Sequence, residues 1–457
     1  MAQGGSIADT VTSPRLLPRW LVLTPIVATP FIIVGVVYVV ACWRAHANLA
    51  REIALIRARG EPLRFAELAA SRDDAEAVAR SKRVAALVDR LRGAPGDFLD
   101  EVATKGIQPV GAKQVEQIIA PYHADVQAIV DELRGGKCLF EYDYETREPY
   151  NILLPHVQYL RDAARVLAGD AHVALATGDE KRACQRLHDM FDLDEALRHE
   201  PFAVSQMARK ADGGRSLDLL QFVLGHEAAT VADMDILGER LDGLEENFRL
   251  ASCMQVERMI LLAEMENLGR PGTEEIFTSG TAPLSAAKAT GLNHWWGSWL
   301  YRPCRLCEEA ATLRTFTRWT DLVDRPGPAV TLQFNACSEE VGKDDFPIFD
   351  ALVRQGIDAS KLHEAGLLYR QRLLSARLAL AVVRHRMVHA ALPASLDELE
   401  VPPTERLGLL SGKPLVYQAT TAEQTSGQTE GFAIHDESPD KSRFEVRFAV
   451  REEPPKP

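Results

Sequence analysis

The run WLVLTPIVATPFIIVGVVYVVACW, from Trp20 to Trp43, contains no charged residue, and its reading decides how the rest of the chain must be arranged. A helix rises 1.5 Å per residue, so about 20 apolar residues cross the hydrocarbon core of a bilayer. Val, Ile, Leu and Phe fill the run, and Trp20 and Trp43 stand at its ends, where amphipathic rings favour the membrane–water boundary. Pro25 and Pro30 predict a bend in the first half, which membrane helices tolerate. Val39-Val40-Ala41-Cys42 has the form of a lipobox, the alternative in which the chain is cut before Cys42 and lipidated there. The run is about twice the 7–15-residue core of a signal peptide, so an uncleaved anchor is the expectation.

Outward from the run, residues 1–19 are small and polar, carry Arg15 and Arg19, and read as disordered. On the other side stand Arg44, Arg51, Arg57 and Arg59. Flanking charge alone would keep the bulk of the chain in the cytoplasm. A short N-terminal arm followed by one span is, however, the plan of an uncleaved signal anchor. The expectation is a single-pass protein of the cell inner membrane with its bulk on the periplasmic side.

The 457 residues carry a formal net charge of −13, and 46% of them are hydrophobic, enough to build folded domains of ordinary size. An acidic chain without a dense Lys/Arg block lacks the surface that neutralises phosphates, which argues against nucleic acid as a partner. The seven cysteines are scattered and do not form a small disulfide framework.

Residues 44–330 read as one helical domain. Leu49, Ile53 and Ile56 recur at helical spacing until Gly60 and Pro62 stop them, and Asp73 and Asp74 offer caps for the next helix, striped by Val84, Leu87, Val88 and Leu91. Val115, Ile118, Ile119, Tyr122, Val126, Ile129, Val130 and Leu133 form the clearest amphipathic stripe, with Pro121 inside it. From Ala164 to Leu187, small residues around Gly178-Asp179 predict two closely packed antiparallel helices. That hairpin resembles a tetratricopeptide unit, but the repeat of about 34 residues that would extend it into a solenoid is missing.

Residues 269–293 read as a loop rich in Gly, Thr, Ser and Ala. A linker and a long helix, spanning roughly 346–391, occupy residues 331–391. A small α+β module follows at 392–451, with Ser395-Leu396-Asp397-Glu398 as a capping box. Its strand signals are Leu415-Val416-Tyr417, Phe432-Ala433-Ile434 and the period-two alternation of Phe444, Val446, Phe448 and Val450. Residues 452–457 read as a disordered tail. The fold class is therefore mainly α: an N-terminal transmembrane helix, a helical bundle with a tetratricopeptide-like hairpin, and a small α+β C-terminal module.

Two resemblances bear on this layout. Ile56-Arg57-Ala58-Arg59-Gly60-Glu61-Pro62 with Glu67-Leu68, the turn Leu175-Ala176-Thr177-Gly178-Asp179 and the stretch from Leu373 onward resemble a family of uncharacterised bacterial single-pass membrane proteins. Leu392-Pro393-Ala394-Ser395-Leu396-Asp397-Glu398-Leu399 and Ser411-Gly412-Lys413-Pro414-Leu415-Val416-Tyr417 resemble the C-terminal part of type II secretion major pseudopilins. In that family a long helix enters a turn, a loop and a small sheet. Leu409-Leu410 replaces the family's Asp-Pro, and the prepilin-peptidase site is missing before the span, so the resemblance implies a shared small module with no catalysis attached.

No catalytic, cofactor or metal residue stands out. His385 and His389 lie one turn apart, the spacing of zinc proteases, but Arg386 occupies the place of the Glu that serves as their general base. His294, Cys304 and Cys307 lack a fourth ligand, and Gly-x-Ser-x-Gly and Walker loops are missing. Trp295, Trp296, Cys304 and Cys307 mark the place where a ligand or interaction surface would lie. The expected function is a membrane-anchored, non-catalytic envelope scaffold, with the lipid bilayer and other envelope proteins as partners. The alternatives are an enzyme or ligand-binding protein with a pocket near 294–307, or an accessory component of a secretion assembly.

Overall fold

A computed structural model of the chain describes residues 19–70, 72–94, 96–107, 109–146, 149, 152–267, 302–341, 359–420, 430–436 and 443–448. The first helix, α1 (Arg19–Ala58), runs unbroken for 40 residues, through both Pro25 and Pro30 and about 60 Å long. Its two parts face different surroundings. From Phe31, 74% exposed, to Trp43, 70% exposed, large apolar side chains point outward on every face. From Ala45 onward one face is buried: Ile56 packs with Leu63 and Leu313, and Leu49 and Ile53 lie against them.

Four shorter helices follow the turn at Gly60: α2 (Glu67–Ala70), α3 (Ala75–Val88), α4 (Gly96–Lys105) and α5 (Pro109–Ile119), and then α6 (His123–Arg134). Asp74 caps α3 by accepting from the Ala77 amide at 3.0 Å. The stripe from Val115 to Leu133, read as one helix, is two. A 3₁₀ turn at Ala120–Tyr122 contains Pro121, which has no N–H to continue the helical ladder. The break leaves the apolar faces aligned, because Val115, Ile119, Val126, Ile129, Val130 and Leu133 enter one core.

The centre is formed by α7 (Pro155–Thr177), α8 (Glu180–Ala196) and α9 (Ala203–Gly225). Ala163, Ala164, Ala168, Ala171 and Ala174 let neighbours approach α7 closely, and a Cβ on Gly169 would stand 3.2 Å from Leu99 Cδ2. Gly178, at φ +78°, ends α7 in the left-handed conformation, and Asp179 then caps α8 by accepting from the Arg182 amide at 3.1 Å. The predicted hairpin is therefore present.

Beyond it come α10 (Val231–Asn247), α11 (Ala251–Asn267), α12 (Arg302–Leu322), α13 (Pro328–Val341) and α14 (Ala359–His389). The expected loop at 269–293 and residues 346–358 of the expected long helix lie outside the described residues. α12 runs parallel to α1, tied by Arg314 to Glu52 at 3.1 Å and by Arg59 to Asp321 at 2.8 Å. α11 packs antiparallel against α12, and α12 lies along the second half of α1, where α11 adds only Leu262 to the shared cluster.

The C-terminal sheet is an antiparallel meander of β1 (Val416–Thr420), β2 (Gly431–His435) and β3 (Phe444–Arg447), with Tyr417 opposite Ile434 and Phe432 opposite Val446. Phe444 and Val446 turn inward while Arg447 faces out, as period two requires. The sheet docks on α9 and α14, and Phe432, Ile434, Phe444 and Val446 belong to the same continuous core as Val84 and Leu99. Near Ser395 the capping bonds are offset by one residue: Ser395 accepts from the Asp397 amide, while Glu398 accepts from the Ala394 amide.

Two glycines should respond to alanine with opposite signs. A Cβ on Gly225 would collide with the backbone carbonyl of Arg447 in β3, whereas one on Gly238, inside α10, would meet nothing. Gly225→Ala is expected to lower unfolding free energy by about 1–3 kcal/mol. Gly238→Ala should raise it by about 0.5–1 kcal/mol through helix propensity. Urea titration of the two variants followed by circular dichroism reads both signs.

Candidate functional site

The end of α1 is a tight reversal. Gly60, at φ +71°, donates to Arg57 O at 3.0 Å, and Glu61 donates to Ile56 O at 3.3 Å, so two terminal carbonyls are satisfied before Pro62 redirects the chain. Glu61 then accepts from Arg258 of α11 at 2.9 Å, and Arg258 also donates to Pro62 O at 3.0 Å. The Arg258 side chain is fully buried, so this pair fixes the reversal to the body of the protein.

Beside the reversal opens a polar cleft of about 610 Å³, lined by Arg57, Glu67, Arg72, Arg198, His199 and Glu200 among others. It lies about 20 Å along α1 beyond Trp43, counted at 1.5 Å per residue. Glu200 is buried at its floor, where the chain turns from α8 into α9. Its Oε2 accepts from the Tyr142 hydroxyl and from Ser205 Oγ at 3.3 Å, and His156 Nε2 stands 3.4 Å away. Arg72 faces its other oxygen at 3.5 Å while donating to His199 O at 2.6 Å and Phe140 O at 3.2 Å.

Burial, and after it the charge of Glu200, push the Tyr142 phenol far above its ordinary value, so Tyr142 holds its proton and donates it. His156 stacks on Phe140 with ring centroids 3.9 Å apart, and Tyr142 meets Phe202 edge-on at 4.9 Å. Ser205 donates to Glu200 and not to His156, so the Ser-His relay of a nucleophilic hydroxyl is not assembled here. The arrangement is a carboxylate held by several donors, with Arg57, paired to Glu67, and Arg198, paired to Glu195 and Asn247, at the rim.

The residues singled out in the sequence fall elsewhere. Trp20 lies on the first turn of α1, and Trp43 is exposed further along it. Trp295, Trp296 and His294 lie outside the described residues. Cys304 and Cys307 share the first turns of α12, Cys304 exposed and Cys307 half-buried. Burial raises both thiols above their ordinary value, the opposite of what a reactive Cys-x-x-Cys needs. His385 and His389 are neighbours, with ring centroids 4.3 Å apart, at the end of α14. Among the described residues, the one group of three prospective metal ligands is Cys184, His188 and Asp233, which the sequence reading passed over.

The cleft was also illegible in the sequence, because Arg72 and Glu200 are 128 residues apart and join only through the fold. Comparison with family models, curated proteins and solved structures finds no match to this chain.

Proposed function

We propose that this protein is a single-pass, membrane-anchored scaffold of the cell envelope, holding a helical platform for other envelope proteins at a fixed attitude to the inner membrane. The observation that carries the reading is the continuity of α1. Its outward apolar stretch, Phe31 to Trp43, passes without a break into the segment packed along α12. An exposed band of that size on a water-soluble helix would be an aggregation site, and hydrocarbon solvates it better. A rigid helix without a hinge transmits the orientation of the anchor to the domain. The buried ion pair Arg258–Glu61 locks the junction.

The periplasmic side is the placement proposed for the domain, and labelling tests it. A role beside a secretion assembly draws support from α14 leading through two short turns into a three-stranded meander. The helix that enters the sheet is α14 while the apolar helix is α1, so polymerisation through one shared helix, as in a pilus, is not part of the proposal.

Placing arginine at both Val36 and Val37 should move the full-length chain out of carbonate-washed membranes, since each charge at mid-span costs about 2.5–3.5 kcal/mol. Recovery of the unaltered chain in the soluble fraction without detergent would refute the anchor. A cysteine introduced at Glu400, exposed in the C-terminal module, reports the side in a Cys304→Ser background. A membrane-impermeant maleimide should label it in intact spheroplasts, with no signal from Cys304→Ser alone. Labelling only after lysis would place the domain in the cytoplasm.

A further inference from the structure

Cys184 and His188 stand one turn apart on α8, and Asp233 lies in the first turn of α10. A sulfur, an imidazole nitrogen and a carboxylate oxygen from these three residues all lie within 4.8 Å of one another. A tetrahedral zinc ion with bonds of about 2.0–2.3 Å needs its ligand atoms ~3.5 Å apart, so small rotamer shifts would close the set.

The surroundings prepare each ligand. Asp233 directs one oxygen, Oδ2, to its own helix cap, accepting from the Thr230 amide at 2.9 Å and from Thr230 Oγ1 at 2.6 Å. The cap fixes the carboxylate plane and leaves Oδ1 available, the kind of outer support that metal-binding carboxylates receive. His188 Nδ1 is buried and makes no hydrogen bond among the described residues. An unpartnered buried nitrogen is costly, and a bond to a metal or a trapped solvent molecule relieves the cost. Burial first, then the nearby charge of Arg240, hold His188 below its ordinary value, so its imidazole is neutral as ligation requires. Cys184 is buried, and the soft sulfur selects against Mg²⁺ and Ca²⁺.

We propose that Cys184, His188 and Asp233 bind a zinc ion with three protein ligands and one open coordination position. Binding replaces the Cys184 S–H bond with a sulfur–zinc bond and releases that proton to solvent. Because binding releases a proton, zinc affinity should rise with pH. The ion would join α8 to the start of α10, and its fourth position would accept water or a donor atom from a partner.

Full-length protein in detergent, carrying Cys304→Ser and Cys307→Ser to remove the exposed thiol pair, provides the test by titration with Co²⁺. The expected result is one equivalent bound with a thiolate-to-cobalt charge-transfer band, displaced by Zn²⁺. Cys184→Ala should abolish the band, and His188→Gln should weaken Zn²⁺ binding about tenfold or more. Should Cys184→Ala fail to fold, His188→Gln still decides, because His188 is only half-buried. A parent protein with no charge-transfer band, a band that persists in Cys184→Ala, or unchanged affinity in His188→Gln would overturn the site.

Discussion

Replacing Asp324 with alanine should lower the unfolding free energy by about 3–5 kcal/mol, because the change strands a buried guanidinium. Asp324 follows α12, and its two oxygens accept from the Leu250 and Ala251 amides at 2.8 and 3.0 Å, capping α11. The oxygen that serves Leu250 also accepts from Arg370 of α14 at 2.8 Å, and Arg370 donates to Phe248 O, just past α10, at 2.7 Å. One carboxylate thus joins the ends of α10, α11 and α12 to the middle of α14. Burial pulls Arg370 below its ordinary value, and Asp324 is the largest charge opposing that pull. The cap alone is worth about 1 kcal/mol, and the larger share comes from leaving Arg370 without its main counter-charge, with only the weaker one of Glu245 remaining. Asp324→Asn keeps an acceptor for the amides but removes the charge, so its loss should fall between wild type and alanine. Urea unfolding of the detergent-solubilised chain, followed by helical circular dichroism, measures both. A loss of under about 1 kcal/mol for alanine would show that the junction is held by packing alone.

Where the sequence was legible, a local rule was at work. The uncharged run to Trp43 needs only composition and length. The hairpin at Gly178-Asp179 needs a left-handed residue followed by a cap, and both are adjacent in the chain. The strand at Phe444 shows its alternation within a few residues, while the one at Phe432, buried on both faces, shows only a short apolar run. The division at Ala120–Tyr122 was harder, because the apolar faces of α5 and α6 stay in register and periodicity alone does not reveal the missing N–H of Pro121. The two sites were hidden for different reasons. Glu200 gathers Arg72, Tyr142, His156 and Ser205 from four separate segments, and no window of sequence contains them. Cys184 and His188 stand at i and i+4, the same spacing as His385 and His389, and nothing local distinguishes the two pairs. Only the fold brings a carboxylate, Asp233, to the first pair.

The interior also explains why acidity should matter to this protein. Asp212 of α9 is buried, and burial pushes its carboxyl up to about 7 even though Arg215, Arg161 and Arg165 oppose the shift. Asp194 of α8 lies nearby; burial and then the charge of Asp212 raise it well above the carboxylate range, and only its Oδ2 is bonded, to Ser216 Oγ at 3.0 Å.

Through the interval from the unfolded value of about 3.8 to about 7, the native state keeps the Asp212 proton while the unfolded chain has lost it. The native state therefore binds more protons there, and stability falls by about 1.4 kcal/mol per pH unit as pH rises, levelling off above 7. Asp212→Asn cannot ionise and escapes this loss. Its substitution leaves Arg215 paired with Asp100 at 2.8 Å and Arg165 paired with Asp100 and Asp162. It also removes the charge that helps to raise Asp194, which adds in the same direction. The stability of Asp212→Asn relative to wild type should accordingly improve by about 3 kcal/mol between pH 5 and pH 8. His172, which burial lowers to about 4, gives the opposite slope below neutrality, but it is common to both proteins and cancels in the difference. A difference that stays flat across the two pH values would mean that Asp212 is ionised in the native state at both, its three arginines outweighing its burial.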